Sequence, residues 1–466
     1  MAEVRAGLPS FARWPSWSPW LAFGLVTLVA CRGGAEPPAA PAAPAPPAPQ
    51  SAKVAAQAPP SAAAAKPTPG SIEEALHYDP ADPLSNLEAA DVLDRGAARS
   101  RTPRKPAASR SCGIDQDPRR VWSKPGIAAL AAFGGGYVMA GYTRAGEAEQ
   151  VFVVHITEGG KLEPVATLPL AVPHPGERKV GPGLAAELEH GVTVAYVDGS
   201  GTLFMQTPRV GAAHGGGSST LLARGVDTRF APAVGFAQRG ALIAYTEGST
   251  PMRSHLVRLD PKGDVFATHD VTPPAMGAAA PVFVQGASPP ALITADPRNG
   301  MSPIARTQLD AEGKPRPADL IAPVGMMTQP PQLAAAEAGF GPYVLYSGLG
   351  SAATSAIGML RLSPKPGAPE AFVKGTAYGE LHSAAVALPS GLVVGADAPL
   401  TPGKAPKHDL QFAWVDAQGT GPNPLHVAGP SGDATHVSLA RGQGGQVGFS
   451  FSAPDGVYWG TLRCSP

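Results

Sequence analysis

The sequence predicts an all-β fold, a seven-bladed β-propeller of four-stranded blades that spans residues 112–466. A short pattern of small apolar residues, then Gly or Pro, then a second apolar run recurs about every fifty residues. Such a period without helical patterning is typical of a propeller. The anchors of the seven copies, with spacings of 55, 49, 50, 51, 50 and 54 residues, are Gly136, Gly191, Gly240, Pro290, Gly341, Gly391 and Gly445.

One repeat illustrates how a blade is assembled. Residues 232–236 and 241–245 form a predicted pair of strands, and residues 255–259 form a third strand. The segment from Asp260 to Gly263 has turn composition, because Asp opens a turn by bonding its own backbone and Gly closes it with positive φ. A fourth strand begins at residue 265, which completes the blade.

The first strands are rich in alanine, as small side chains are expected where blades converge on a narrow axis. The second strands carry bulky side chains in most copies. We expect these to pack between blades as core rather than to line a ligand site. They are Tyr142, Tyr196, Tyr245, Tyr346 and Phe449.

The last repeat has only three predicted strands, and residues 118–123, ahead of the first repeat, resemble the missing fourth strand. One blade therefore closes the ring with both ends of the domain. In that arrangement Cys112 and Cys464 face each other where other blades have their Asp-opened turn. An exported protein retains disulfides, so we predict that these cysteines are bonded; two free thiols are the alternative.

The N-terminus carries the features of an export signal. Arg5 and Arg13 give it a basic start, and residues 20–30 form an apolar core too short to span a membrane. The core ends in Leu28-Val29-Ala30-Cys31, which resembles the lipobox of bacterial lipoproteins. The resemblance implies a lipid on Cys31 and, because Arg rather than Asp follows, sorting to the outer membrane. An ordinary cleaved signal with an incidental cysteine is the alternative.

The predicted signal peptide, residues 1–30, is followed by a lipid-anchored linker over 31–70 made largely of Ala and Pro. Such a segment buries no core and stays partly extended as polyproline, so we predict a disordered tether. Residues 71–111 form either a short helical segment or a weakly ordered continuation. Their second half is basic and interrupted by Pro, as in a solvated linker or a contact with anionic lipid or cell-wall polymer.

The overall composition is neutral, with 36 basic and 36 acidic residues and a charged fraction of 15%. This balance favours neither nucleic acid nor an acidic substrate as a partner. We expect a monomer that binds no nucleic acid and contains neither a cofactor nor a metal.

Strong catalytic motifs are absent from the sequence, which has no CxxC or HExxH. Ser452, Gly456 and Trp459 resemble three positions of the Asp-box of sialidase-like propellers. However, Pro454 occupies the position of the Asp, and Asp455 follows one place late. The motif occurs once, so we assign no Asp-box family, and no blade carries a Trp-Asp or kelch signature.

Polar residues on the loops that lead into first strands are the best candidates for a binding site, because these loops meet at a mouth of the central channel. They come from four blades, and ordinary solvated loops are the alternative. Two His residues come from adjacent blades without a third ligand beside them, so we predict no metal there. The candidates are Arg178, Lys179, Asp227, Arg229, Glu380, His382, Asp433 and His436.

The lack of a catalytic constellation favours a non-enzymatic binding or scaffolding module that holds a protein or cell-envelope partner. The alternative is a glycan-active hydrolase or lyase at the channel mouth, with His382, His436, Glu380 and Asp433 as acid–base candidates. At least two of these side chains within about 6–9 Å of each other across a deep pocket favour the enzyme, because paired glycosidase carboxylates use this separation. Side chains that splay into solvent favour the scaffold.

Overall fold

The computed structural model of the protein describes residues 111–465, with gaps at 212–218, 249, 275, 298–301, 324–326, 329, 350–354, 363–369, 375–380, 400–406, 418, 422 and 431. Nearly all regular structure in this part of the chain is β-strand, and a single 3-10 turn, Gln443–Gly445, interrupts the described strands. Among the described residues we find no apolar helix of bilayer-spanning length. The predicted signal peptide, tether and 71–110 segment lie outside the described residues.

The described strands form seven antiparallel sheets, each made around one repeat. Blade 7 begins the domain with β1 (Ser111–Trp122). Blade 1 follows with β2 (Gly126–Phe133), β3 (Gly136–Ala145), β4 (Ala148–Ile156) and β5 (Leu162–Pro169). Blade 2 contains β6 (Gly183–Glu187), β7 (Gly191–Val197), β8 (Leu203–Gln206) and β9 (Thr220–Ala223). Blade 3 contains β10 (Ala233–Ala237), β11 (Gly240–Glu247), β12 (Arg253–Leu259) and β13 (Val265–Asp270).

The remaining blades repeat this order. Blade 4 contains β14 (Ala279–Phe283), β15 (Ala291–Ala295), β16 (Pro303–Gln308) and β17 (Asp319–Pro323). Blade 5 contains β18 (Leu333–Ala338), β19 (Gly341–Leu349), β20 (Ser355–Arg361) and β21 (Glu370–Lys374). Blade 6 contains β22 (Ser383–Leu388), β23 (Gly391–Pro399), β24 (His408–Asp416) and a fourth strand in two pieces, β25 (Gly419–Thr420) and β26 (Leu425–Val427). Blade 7 ends with β27 (Thr435–Arg441), β28 (Gln446–Ala453) and β29 (Gly456–Ser465).

This architecture confirms the predicted seven-bladed propeller and its mode of closure. In blade 7, β1 pairs with β29, and Cys112 lies directly opposite Cys464. The two cysteines form a disulfide, as predicted. Trp122 at the end of β1 then stacks on Phe152 of blade 1 at 4.3 Å between ring centroids, and its Nε1 donates to Thr143 Oγ1 at 2.9 Å. The seam is therefore closed covalently within blade 7 and by packing against blade 1.

The core lies between neighbouring blades, where the bulky side chains of the second strands are buried. All five predicted core aromatics are less than a tenth exposed: Tyr142, Tyr196, Tyr245, Tyr346 and Phe449. The predicted turns are also present. Asp260 accepts hydrogen bonds from the N–H groups of Lys262 and Asp264, and Gly263 has a φ of 88°. Asp310 and Gly313 repeat this arrangement in blade 4.

The antiparallel topology gives the central channel two different ends. We call the end where loops enter the first strands, and where the second strands finish, the upper mouth. The end where tight turns join first to second strands is the lower mouth. The predicted site residues that the structure describes belong to the upper mouth.

Candidate functional site

A buried polar residue ends the second strand of every blade at the upper mouth. Its side chain commonly binds the loop that enters a first strand: Asp296 accepts from the N–H of Gly277 at 2.8 Å, and Ser347 accepts from the N–H of Gln332 at 2.8 Å. Sequence analysis missed this position, although an apolar or aromatic residue followed by Thr, Asp or Ser marks it in each repeat. The seven residues are Thr143, Asp198, Thr246, Asp296, Ser347, Asp397 and Ser452.

In blade 6 this position holds Asp397, whose side chain is fully buried. Its Oδ2 lies 2.9 Å from His382 Nδ1, and it also accepts from the N–H groups of His382 and His436 at 3.2 Å each. One carboxylate therefore joins the loop that enters blade 6 to the first strand of blade 7. Because a carboxylate only accepts hydrogen bonds, this contact fixes the proton of His382 on Nδ1 and leaves the lone pair on Nε2.

The ring of His436 packs on the ring of His382, with 3.8 Å between their centroids and 30° between their planes. The backbone of His436 has a φ of 56°, in a bulge between Thr435 and Ser438. Burial holds the pKa of His436 well below its usual 6.5, and the nearby His382 lowers it further, while a hydrogen bond with the backbone of Lys179 raises it by less. His436 is therefore an uncharged imidazole at neutral pH.

Both imidazoles present a buried Nε2 atom with no hydrogen-bond partner among the described residues. A buried polar atom without a partner costs about 1–3 kcal/mol, so such atoms mark places where a water or a ligand is bound. His382 is only 8% exposed. The backbone of Lys179, from the loop that enters blade 2, lies against His436. A ligand that reaches the two Nε2 atoms must displace part of this cover.

The other predicted residues have different environments. Asp433 accepts from the N–H of His408 at 2.9 Å and lies 3.1 Å from its Nδ1, so it forms a second Asp–His pair beside the first. Arg178 is buried and pairs with Glu149 at 2.6 Å, so it is a structural ion pair.

Two of the remaining candidates pair with each other. Arg229, on the surface, pairs with Asp227 at 2.6 Å. Glu380 lies outside the described residues. The structure therefore brings His382, His436 and Lys179 together, with Asp397 as the residue that the sequence did not single out.

The described residues contain no group of three or more His, Cys, Asp or Glu side chains arranged to hold a metal ion. The partial Asp-box has a structural role in this chain. Ser452 Oγ donates to the carbonyl of Gly126 at 2.6 Å, and Asp455 Oδ2 accepts from the hydroxyl of Tyr458 at 2.7 Å. These contacts stabilise the hairpin of blade 7 and its junction with blade 1.

Comparisons with known proteins assign no family to the chain. No family model matches the sequence, and no curated protein matches it. Among solved structures, AofleA from Arthrobotrys oligospora is 11% identical with a TM-score of 0.41, over 68% of this chain and 90% of that one. A mutant of the NanB sialidase from Streptococcus pneumoniae is 11% identical with a TM-score of 0.42, over 77% and 71%. The intramolecular trans-sialidase from Ruminococcus gnavus is 10% identical with a TM-score of 0.38, over 72% and 94%.

The expectation of a non-enzymatic scaffolding module is wrong as the main interpretation. The solved structures similar to this chain include sialidases and trans-sialidases, which belong to the class of the glycan-active alternative. Two of the four acid–base candidates, His382 and His436, do not splay into solvent, but their rings are in contact at 3.8 Å between centroids, closer than the expected separation of about 6–9 Å. These likenesses, with identities of 10–11% and TM-scores of 0.38–0.42, carry no activity over to this chain, so an activity must rest on its own residues.

Proposed function

We propose that the protein is a glycan-active enzyme whose site lies at the upper mouth of the propeller channel. The observation that carries this proposal is the contact of His382 with fully buried Asp397 on one side and with the ring of His436 on the other. Acid–base chemistry on a sugar needs such groups held together with fixed tautomers. The buried, unpartnered Nε2 of His382 supplies the acceptor position.

Proton abstraction suits this pair better than glycoside hydrolysis. Hydrolysis of the common kind uses two carboxylates on opposite sides of the scissile bond, whereas the converging groups here are imidazoles. In a uronate polymer, His382 Nε2 takes the proton from C5. The C4–O bond breaks, a double bond forms between C4 and C5, and the departing oxygen takes a proton from water. Asp397 holds the resulting imidazolium in place.

Charge at the mouth fits an acidic glycan. The side chain of Lys179 is exposed, and its positive charge is one of the causes that lower the pKa of His436. A carboxylate on the substrate would approach this ammonium group favourably. The same carboxylate acidifies the neighbouring C–H bond, which is the bond that the proposed reaction breaks. The substrate class is therefore a polysaccharide that contains uronic acids.

Incubation of the mature full-length protein with polygalacturonate, alginate and chondroitin, with neutral dextran as control, tests this function. We expect one acidic polymer to yield fragments with ultraviolet-absorbing unsaturated ends, and dextran to remain intact. Release of saturated reducing ends alone would show that the protein cleaves the polymer by hydrolysis and not by elimination. Failure to cleave any acidic polymer would refute the activity.

We further propose that the propeller is a monomer tethered to the outer membrane by a lipid on Cys31. The lipobox-like Leu28-Val29-Ala30-Cys31 and the Ala/Pro-rich linker over 31–70 support this proposal. The partner would then be a glycan polymer of the cell envelope. Metabolic labelling with a palmitate analogue tests the anchor: Cys31→Ala should lose the label and release the protein to the soluble fraction. Equal labelling of the variant would refute lipidation.

A further inference from the structure

The lower mouth of the channel contains a cavity that the proposed activity does not use. Its volume is about 290 Å³, near the lower limit of about 300 Å³ for ordinary small-molecule pockets. The first strands of blades 1, 2, 3, 4 and 7 line it, together with the segment that follows β14. Small side chains form most of its walls: Ala131, Ala132, Ala185, Ala186, Ala287 and Ala440.

The segment after β14 forms one wall of the cavity and separates blades 5 and 6 from it. The N–H of Gln285 donates to the carbonyl of Ala335 at 2.9 Å, and the N–H of Glu337 donates to the carbonyl of Gln285 at 2.8 Å. Gly286 has a φ of 85°, and a Cβ there would lie 2.6 Å from the Cβ of Ala387. The segment therefore crosses from blade 4 over blade 5 to blade 6. This crossing explains why blades 5 and 6 do not line the cavity.

Two aromatic rings form the apolar side of the cavity. Phe236 and Phe283 both line it and are partly exposed. The ring of His190 stacks on Phe236 at 5.1 Å between centroids and 16° between planes, which holds the phenyl ring in one orientation. The ring of Phe283 packs against Gly235 of blade 3, and Phe236 lies on the opposite face of the same strand, so the cavity has one phenyl group on each side of blade 3. Each ring offers an apolar surface for a short hydrophobic group.

Opposite charges line the cavity on either side of blade 1. Glu187 ends β6 in blade 2, and Arg441 ends β27 in blade 7. The nearest described cation to Glu187 is His190 Nε2, at 3.9 Å, and burial raises the pKa of Glu187. No described carboxylate forms an ion pair with Arg441. The cavity is therefore lined by a carboxylate, Glu187, and a guanidinium group, Arg441, that do not form an ion pair with each other.

We propose that the lower cavity binds a small zwitterion of the amino-acid or dipeptide class. Its carboxylate contacts Arg441, its ammonium group contacts Glu187, and its apolar side chain lies against Phe236 or Phe283. Arginine suits this role because it binds a carboxylate through two parallel hydrogen bonds. The site lies at the opposite end of the channel from the histidine pair and is independent of the proposed glycan activity.

Calorimetric titration of the mature full-length protein with the dipeptide alanyl-phenylalanine tests this site. We expect millimolar or tighter binding, weakened about tenfold or more in Arg441→Gln and in Glu187→Gln. Arg239→Gln removes the same charge from an exposed arginine of blade 3 and should bind like the wild type. Both lower-mouth residues are exposed, so an unchanged thermal midpoint identifies variants that remain folded.

Three outcomes would overturn the site. They are no binding of the dipeptide, equal binding of the same dipeptide with both termini blocked, and binding of Arg441→Gln as tight as that of the wild type. Binding of glucose in place of the dipeptide would assign the cavity to sugars and would also overturn the proposal. The measurement uses no polysaccharide and no His382 variant, so its failure leaves the glycan activity to its own test.

Discussion

The two mouths of the channel are formed by the same first and second strands, but they differ in the burial and hydrogen bonding of their polar groups. At the upper mouth, polar groups are buried and bound, as in the contacts of Asp397 with the backbone and ring of His382. At the lower mouth, the walls are mainly alanine, and the charged groups Glu187 and Arg441 are exposed around a cavity.

Topology accounts for this difference. At the upper mouth, a loop from the preceding blade enters each first strand, and its buried N–H groups need acceptors. The polar residue at the end of each second strand supplies an acceptor in most blades. At the lower mouth, tight turns bond their own backbone, so no buried acceptor is required. Small side chains therefore leave space at the lower mouth, while hydrogen-bonded polar groups fill the upper mouth.

The largest expected effect concerns the seam that supports both mouths. Cys464→Ser removes a bond that closes a loop of 352 residues, and chain entropy predicts a loss of up to about 5 kcal/mol in the free energy of unfolding. Calorimetry should show a lower thermal midpoint with unchanged strand content at low temperature. The double variant Cys112→Ser/Cys464→Ser controls for the unpaired thiol. An unchanged midpoint in both variants would show that packing of β1 alone closes the ring.

The next effect compares a carboxylate from each mouth. Asp397→Ala leaves two N–H groups and one imidazole without an acceptor, so we expect a loss of about 3 kcal/mol or more in unfolding free energy. Glu187→Ala changes an exposed side chain and should stay within about 0.5 kcal/mol. Denaturant unfolding measures both values. Equal losses would contradict the distinction between a buried polar mouth and an open one.

A smaller effect concerns the pH dependence of stability. The folded protein holds the pKa of His436 well below 6.5, so the unfolded chain takes up a proton first as the pH falls. The free energy of unfolding should therefore decrease below about pH 6.5, by at most about 1.4 kcal/mol per pH unit from this group. Burial is the main cause of the shift, and the nearby His382, Lys179 and His408 add to it. His436→Asn should show a shallower decrease, and an identical pH profile would refute burial of an uncharged His436.

The sequence was sufficient to predict the architecture because the repeat of about fifty residues is a signal that can be read locally along the chain. The anchors predicted the start of the second strands, and the three-stranded last repeat predicted pairing of β1 with β29. The facing positions of Cys112 and Cys464 followed from that pairing. Each of these inferences needs only the order of elements along one blade and the closure of the ring.

The site was less accessible to sequence analysis because its contacts join different blades. His382 and His436 were candidates as loop residues, but Asp397 ends a strand and was absorbed into the core pattern. Its role depends on the loop that it faces, 15 residues away in sequence from His382 and 39 from His436. Arg178 misled for the same reason, since its partner Glu149 lies on a strand of blade 1. The lower cavity depends on the crossing of residues 284–287, which has no local sequence signal.

We propose the His382–Asp397 pair at the upper mouth as the acid–base group of a glycan-active enzyme. The chain offers a matched control, because His408 and Asp433 form a similar pair outside the histidine stack. The most direct measurement is kcat/KM on the polymer that the wild type cleaves, for His382→Asn and His408→Asn. We predict a loss of about 100-fold or more for His382→Asn and a value near that of the wild type for His408→Asn. Equal losses in the two variants, or full activity of His382→Asn, would contradict the claim.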